Sequence, residues 1–422
     1  MNMTITISSI SDQPLFQLLN TEAKAFLNER AQELRLSVQD SRQACEIALD
    51  FQMWGTESIE DVWPKDKRQT EPGKAHKQRV MNLLRANWEQ HKNRSNLYPV
   101  DSQTTKISAA SKPRAIEKTS LGLGRCPVAS PRTRCCNLQT LDAVDNCGYG
   151  CSYCSIQSFF DGKQISFDMG FADKLKKLEL DPDKTYHIGT GQSSDSLMWG
   201  NSHGVLDAVI DFARANPNVI LELKTKSANV NHLLRSDAPK NIVCTWSLNT
   251  PALIENEEHG TASLDKRLNA ARKVADAGFL VGFHFHPIVH YDQWQQDYAL
   301  VVEQLSSLFN PDEVALVSMG TLTYIKSVIR EIRKRAIPTQ ILKMPMVDSN
   351  GKLSYPDEIK LSLFSHVYNS FPENWQNNVF YYLCMESHDF WKPVFGYEYA
   401  SNNEFEDAMK KSYLDKIDLR RR

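Results

Sequence analysis

The segment Asp145–Gln157, DNCGYGCSYCSIQ, carries three of the nine cysteines of this 422-residue chain: Cys147, Cys151 and Cys154, spaced C-x3-C-x2-C. Three thiolates at that spacing suit an iron–sulfur cluster, because four irons held by three protein ligands leave one iron open to chelate a small molecule. A zinc site would need a fourth Cys or His at a second short spacing. None is obvious, although Cys135 and Cys136 lie about eleven residues upstream. A redox pair uses C-x2-C alone and gives Cys147 no role. Plain buried thiols are the remaining reading.

The triplet directly follows an apolar run, and from there outward the chain repeats one pattern. Strand-like runs at Leu138–Asp142, Tyr186–Thr190, Ile220–Thr225, Ile242–Leu248, Leu280–Phe285, Ala315–Met319 and Val379–Cys384 alternate with amphipathic runs such as HGVLDAVIDFARAN, SLDKRLNAARKVADAG and DYALVVEQLSSLF. Gly278, after Asp276 and Ala277, is a helix stop. Alternating β and α with short links predicts a parallel sheet with helices outside it, closed or partly closed into a barrel. Chemistry in such sheets gathers at the C-terminal ends of the strands, where the cysteine segment falls.

The rest of the chain divides by composition. Residues 1–96 read as a helical extension, on the spacing in TEAKAFLNERAQELR and HKQRVMNLLRANWEQHK. Residues 97–120 are Ser/Lys-rich and read as a linker or arm, 121–340 as the barrel, and 341–422 as its C-terminal completion and tail. The formal charge of −2 hides an asymmetry: from Lys65 to Arg134 there are 16 Lys/Arg against 5 Asp/Glu. A basic block on an otherwise acidic protein is a candidate DNA surface, or else a solvated linker. A hydrophobic content of 41% supports a core without disulfides. No run is long and apolar enough for a membrane helix, and MNMTITISSISDQPLFQLL lacks a secretory pattern. The expected location is the cytoplasm, where clustered thiols point to metal or redox work.

Further segments sit at the strand ends: GQSSDSL (Gly191–Leu197), KTKSANVNHLL (Lys224–Leu234), WSLNT (Trp246–Thr250), Glu258–Trp294, VSMGTL (Val317–Leu322) and YLCMES (Tyr382–Ser387). With the cysteine triplet and the aromatic Tyr153 before its third member, they resemble, in order over roughly residues 138–395, the spore photoproduct lyase family of radical S-adenosylmethionine enzymes. The resemblance implies an α/β partial (β/α)6 TIM-type barrel. It implies a 4Fe-4S cluster on Cys147, Cys151 and Cys154, and S-adenosylmethionine cleaved to a 5′-deoxyadenosyl radical that repairs a thymine-dimer-type DNA lesion. Tyr153, Ser194, Lys226 and Ser247 would contact the S-adenosylmethionine, and a flavodoxin or ferredoxin would supply electrons.

Two positions depart from that family. Its hydrogen-donor cysteine is replaced by Gln192, and the tyrosine after its third cluster cysteine by Ser155. An amide cannot replace a thiol as a hydrogen-atom donor, because its N–H bond is far stronger than S–H. Tyr153, Cys244 or Cys384 stand as substitutes, the last two in apolar strands that favour a core role; Cys126, Cys135 and Cys136 precede the first strand. These departures keep open a second substrate for the same radical chemistry. A zinc- or cluster-stabilised nucleic-acid-binding protein is the non-enzymatic reading. His284, His286 and His290 alternate in GFHFHPIVH and are read as substrate-pocket or core residues rather than a metal site. Glu386 reads as a structural acceptor or pocket residue, Trp199 as packing or a base-stacking ring, and Arg330–Arg335 and Arg420–Arg422 as solvated faces or phosphate contacts.

Overall fold

A computed structural model of the chain describes residues 9–65, 73–94, 96–98, 113–126, 132–160, 164–349 and 351–421. Two compact units emerge. The first comprises Met1–Tyr98, Ser152–Ser158 and Tyr324–Leu353; the second comprises Pro99–Cys151, Phe159–Thr323 and Ser354–Arg422.

The first unit is mainly helical. Helices Thr21–Leu34, Val38–Trp54 and Gly73–Lys92 bury Leu27, Ala44, Ala48, Phe51 and Leu84 between them. Asn20 and Ser37 cap the first two, their side chains accepting from Ala23 N and Asp40 N. The helix Lys326–Arg335 belongs to the same unit. Its Arg333 fork donates to both oxygens of the fully buried Asp50 at 2.8 Å each, and Trp88 Nε1 donates to Asp50 at 3.1 Å.

The second unit is built on one eight-stranded sheet: β1 Leu123–Arg125, β2 Gln139–Leu141, β3 Tyr186–Thr190, β4 Val219–Thr225, β5 Ile242–Ser247, β6 Leu280–Ile288, β7 Val314–Thr321 and β8 Phe380–Leu383. Spatial order follows chain order from β1 to β8. β1 pairs antiparallel with β2, and every other pair is parallel. This is the expected partial barrel of βα units, with an antiparallel edge added. Strands covered on both faces read as near-continuous apolar runs, and every residue of β7 is buried. Helix Val205–Ala215 covers the outside with Leu206, Val209, Ile210, Phe212 and Ala213, one helical face. Leu264–Asp276 does the same and stops at Gly278.

The C-terminal helix Asn402–Arg421 closes the floor of the barrel. Phe405, Met409, Tyr413 and Ile417, four residues apart, are its buried stripe. Lys416 Nζ donates to Pro311 O, Val314 O and Asn378 O at 2.8, 2.6 and 2.7 Å, at the N-terminal ends of β7 and β8. Tyr413 meets the ring of His187 edge-on at 5.8 Å. The open end is therefore the one formed by the C-terminal ends of the strands.

One expectation needs correction. Of the linker 97–120, residues 99–112 lie outside the described residues, but Arg114–Ile116 is a strand rather than linker. It pairs in parallel with Ser166–Asp168, which pairs antiparallel with Val144–Asp145. Lys118 fastens it, its N–H donating to Asp168 at 3.2 Å and its ammonium to Asp145 at 2.6 Å. Partners some fifty residues away hold this strand, and a polar flank conceals it.

Candidate active site in the barrel mouth

The loop that carries Cys147 and Cys151 is locked onto the ends of three strands. Gly148 permits the closest approach: a Cβ there would stand 2.5 Å from Met198 Cε and 3.1 Å from Trp199, in the loop after β3. Tyr149 is hydrogen-bonded to Ser227, after β4, and burial pushes its phenol well above the usual range. Gly150 N donates to His259 O, after β5, at 2.8 Å. Cys147 and Cys151 are half-buried thiols, and Tyr149 N donates to Cys147 Sγ at 3.5 Å.

The third cysteine belongs to the helical unit. There Gln157 Nε2 donates to Cys154 O at 2.8 Å, and Tyr324 Oη donates to Tyr153 O at 3.4 Å. Tyr153 is buried, and Cys154 and Ser155 are half-buried. From Cys147 to Cys154 the only side-chain donors of the metal-ligating kind are thiols, apart from the hydroxyls of Tyr149, Ser152 and Tyr153, and none of the nine cysteines is in a disulfide. That donor set fits an iron–sulfur cluster.

The loop after β3 holds Gln192 and Ser194. Gly191 opens it at φ +81°, and a Cβ there would lie 2.7 Å from Ser196 Oγ and 3.0 Å from Lys224 O, so only glycine fits. Asp195 is the anchor of this loop. It accepts from Thr225 Oγ1 at 2.6 Å, Lys226 N at 2.7 Å, Met198 N at 2.9 Å and Leu197 N at 3.0 Å. One carboxylate thus ties the β3 loop to the end of β4, fixing the backbone of Lys226. Gln192 is half-exposed, and Ser194 Oγ accepts from Trp199 Nε1 at 3.2 Å. Trp199 also packs edge-on against Phe167 at 5.5 Å, which accounts for it structurally.

Ser247 ends β5, and the fully buried Arg267 holds it in place. Arg267 donates to Ser247 O and Ala262 O at 2.8 Å each, to Thr261 Oγ1 at 2.7 Å, and to the carboxylate of the buried Glu258. Ala262 N in turn donates to Lys226 O at 3.1 Å. The ends of β4 and β5 and the loop Glu258–Ser263 therefore form one bonded unit.

Beneath the mouth lies a buried polar network. Glu222 on β4 accepts from His187 Nε2 on β3 at 2.9 Å, Thr245 Oγ1 on β5 at 2.8 Å and His284 Nε2 on β6 at 2.8 Å. His284 Nδ1 is hydrogen-bonded to Ser318 Oγ on β7, which lies 3.1 Å from His286 Nε2. Burial alone would raise the carboxyl of Glu222, but the bonds from His187 and His284 outweigh it and hold the group well below its ordinary range. Burial, reinforced by Lys224, pushes His284 down to about 4. His284 is therefore neutral: Nε2–H donates to the carboxylate, and Nδ1 accepts from the Ser318 hydroxyl.

Alternation along β4 puts Glu222, Lys224 and Lys226 on this same interior face. Lys224 is half-buried inside the barrel; burial lowers its ammonium, and Cys384, Glu222, Lys226 and Cys126 act on it as charged or titratable groups. Sequence reasoning passed over Glu222, Lys224, His187 and Tyr149. The signal was present in E-L-K-T-K, three charges at period two within a strand whose intervening residues are apolar or small.

The remaining candidates resolve individually. His290 lies past the end of β6 and packs 6.0 Å from Trp294, apart from His284 and His286. Among the described residues no three His, Cys, Asp or Glu side chains are grouped to hold a single metal ion. Glu386 is structural: it accepts from Thr321 and pairs with the buried Lys360 at 2.8 Å. Arg333 is spent on Asp50. Arg420 donates to Asp312 O at 2.9 Å, and Arg422 lies outside the described residues. Cys244 is fully buried.

Comparison with known proteins gives one consistent answer. The family model for spore photoproduct lyase matches residues 141–360. Spore photoproduct lyase of Clostridium acetobutylicum is 25% identical over 223 residues, 51% of this chain and 64% of that one. Spore photoproduct lyase of a Geobacillus species is 30% identical over 212 residues, 49% of this chain and 61% of that one. The matches thus span just under two thirds of the length of these relatives. A solved spore photoproduct lyase complexed with dinucleoside spore photoproduct superposes with a TM-score of 0.53 at 21% identity, covering 69% of this chain and 88% of that one. A double mutant with bound AdoMet and dinucleoside spore photoproduct gives 0.52 at 20% identity, with the same coverage.

Proposed function

The chain belongs to the spore photoproduct lyase family, and on that premise we propose that it is a radical S-adenosylmethionine enzyme that repairs a thymine-dimer-type lesion in DNA. The observation that carries the reading is the barrel mouth itself, where the loop of Cys147 and Cys151 is bonded to the same strand ends that present Lys226 and Ser247.

Cys147, Cys151 and Cys154 would hold a 4Fe-4S cluster. Together with S-adenosylmethionine, the bound cluster would supply a 5′-deoxyadenosyl radical. Lys226 would meet the carboxylate of S-adenosylmethionine as a compact cation, with Ser194 and Ser247 as hydroxyl partners and Tyr153 against the adenine. Asp195 and Arg267 position Lys226 and Ser247 through their backbones. The barrel floor, sealed by Tyr413 and the Glu222 network, excludes water from below. The lesion bases would leave the DNA stack to enter the mouth, and a flavodoxin or ferredoxin would be the electron source.

The test is anaerobic reconstitution with iron, sulfide and S-adenosylmethionine, followed by addition of a dinucleotide carrying the methylene-bridged thymine dimer. Conversion to the unbridged thymine dinucleotide supports the reading. Cleavage of S-adenosylmethionine with the methylene bridge left intact overturns the lesion assignment. That outcome favours a second reading, the same hydrogen-abstraction chemistry on another substrate, which Gln192 and Ser155 motivate because both stand where the family has hydrogen-transfer side chains.

A further inference from the structure

Four of the nine cysteines gather where the two edges of the barrel sheet approach each other. Cys384 directly follows β8, and its N–H donates to Met319 O at 2.8 Å. Cys126 directly follows β1 at the opposite edge, its N–H donating to Leu138 O at 3.1 Å. Residues 132–135, ahead of β2, are held by the chain that follows β8: Thr133 bridges to Ser387, His388 N donates to Arg132 O at 3.2 Å, and Cys135 N donates to Asn402 Oδ1 at 3.0 Å. Cys135 and Cys136 are hydrogen-bonded to each other, and Cys384 lies within electrostatic reach of Cys126, Cys135 and Cys136.

Lys224 joins this group from across the barrel. In the sheet, β4 is four strands from β8 and three from β1. In a flat sheet four strands would separate Lys224 from Cys384 by about 19 Å. The ammonium nevertheless feels the charges of Cys384 and Cys126, an influence that acts across the barrel interior rather than along the sheet. Tyr382, two residues before Cys384 and on the same face, packs its ring 5.5 Å from Phe405 of the helix that closes the barrel floor, which marks that face of β8 as interior. Cys244 faces the other way, because its neighbour Thr245 points inward to Glu222.

We propose that Cys384 is the hydrogen-atom donor that ends the substrate radical, and that Lys224 returns the proton to it afterwards. The inference rests on the radical reading given above. A carbon radical on the substrate takes the hydrogen atom of Cys384: the S–H bond breaks, a C–H bond forms, and a thiyl radical remains on Sγ. A one-electron donor of the flavodoxin or ferredoxin class reduces the thiyl to a thiolate. Lys224 then transfers a proton to the thiolate and recovers one from solvent through the mouth. The net requirement is one electron and one proton for each hydrogen atom delivered. Burial pushes the Cys384 thiol up to about 12, so it rests as S–H, the form that can give a hydrogen atom. Burial lowers the ammonium of Lys224, which makes it the readier acid. The Gln192 amide and the Ser155 hydroxyl offer only stronger N–H and O–H bonds.

The test runs the reconstituted enzyme on the methylene-bridged dimer in D2O, where thiols carry deuterium. The wild type is expected to place one deuterium in the repaired thymine. Cys384→Ser, nearly isosteric, is expected to keep forming 5′-deoxyadenosine while deuterium in the product falls by about tenfold or more. Lys224→Met keeps the first turnover and slows later ones. In the cofactor-free protein, the thiol-bridging reagent dibromobimane is expected to link Cys384 to Cys126 or Cys135, and peptide mapping reads the link directly. Unchanged deuterium in Cys384→Ser, or no cross-link to Cys384 in the wild type, overturns the donor assignment alone. A wild type that forms no 5′-deoxyadenosine overturns the radical reading and the donor role with it.

Discussion

Glu222 shows how much a single residue organises here. It is fully enclosed, and its two oxygens take three hydrogen bonds, from the adjacent strands β3 and β5 and from β6 beyond. Removing it leaves two imidazoles and a hydroxyl buried without their acceptor. Glu222→Ala should therefore cost about 3–5 kcal/mol in urea unfolding, and Glu222→Gln less; a loss below about 0.5 kcal/mol would mean that the network is not formed. The same residues set a pH dependence. Unfolded, His284 titrates at its ordinary 6.5; folded, it titrates at about 4. Between those values the unfolded chain binds the extra proton, so the stability present above pH 6.5 is lost as pH falls toward 4. Glu222, held below its ordinary 4.5, adds loss in the same direction at still lower pH. The urea midpoint should fall from pH 7 to pH 4.5, and fall less in His284→Gln. At this scale the sequence was only partly legible. The cysteine triplet announces itself by spacing, whereas Glu222 and Lys224 become visible only when their strand is known to face a closed interior.

Elements act here through their ends. The β3 loop is fixed by Asp195 and the β5 end by Arg267, so two buried charges set the geometry of three strand termini. Arg267→Met keeps the apolar stem but strands Glu258 as an uncompensated buried carboxylate. The expected cost is about 3–5 kcal/mol, with weaker S-adenosylmethionine binding than in an exposed-surface control such as Lys266→Met; calorimetry on the reconstituted protein reads it. Unchanged affinity would mean that the loop holds its shape without Arg267. The strands themselves were readable, since each apolar run between amphipathic helices proved to be a strand within a residue or a few of its expected limits. Arg114–Ile116 was not, because three residues in a polar segment carry no periodic signal and the pairing partner lies far along the chain.

For the whole molecule, the βα alternation and the ordered strand-end segments carried the architecture, while the helical unit's composition from distant stretches of chain left no trace in local pattern. No helix among the described residues is long and apolar enough to cross a membrane. The basic block 65–134 is less available than its charge suggests. Lys77 pairs with Asp40, Lys118 with Asp145, and Arg134 donates to Tyr399 O and Ala400 O, while residues 66–72, 95, 99–112 and 127–131 lie outside the described residues. If the block holds DNA, log K should fall linearly with log salt, each contacted phosphate contributing about −0.9 to the slope. Affinity indifferent to salt would remove the block from the DNA interface. The central claim, a three-cysteine cluster that opens S-adenosylmethionine to radical cleavage, is tested most directly by reducing the anaerobically reconstituted protein and measuring 5′-deoxyadenosine. The account predicts a brown protein with about four irons per chain that forms 5′-deoxyadenosine, and loss of both properties in Cys151→Ala. A colourless protein holding a single zinc and leaving S-adenosylmethionine intact would contradict it.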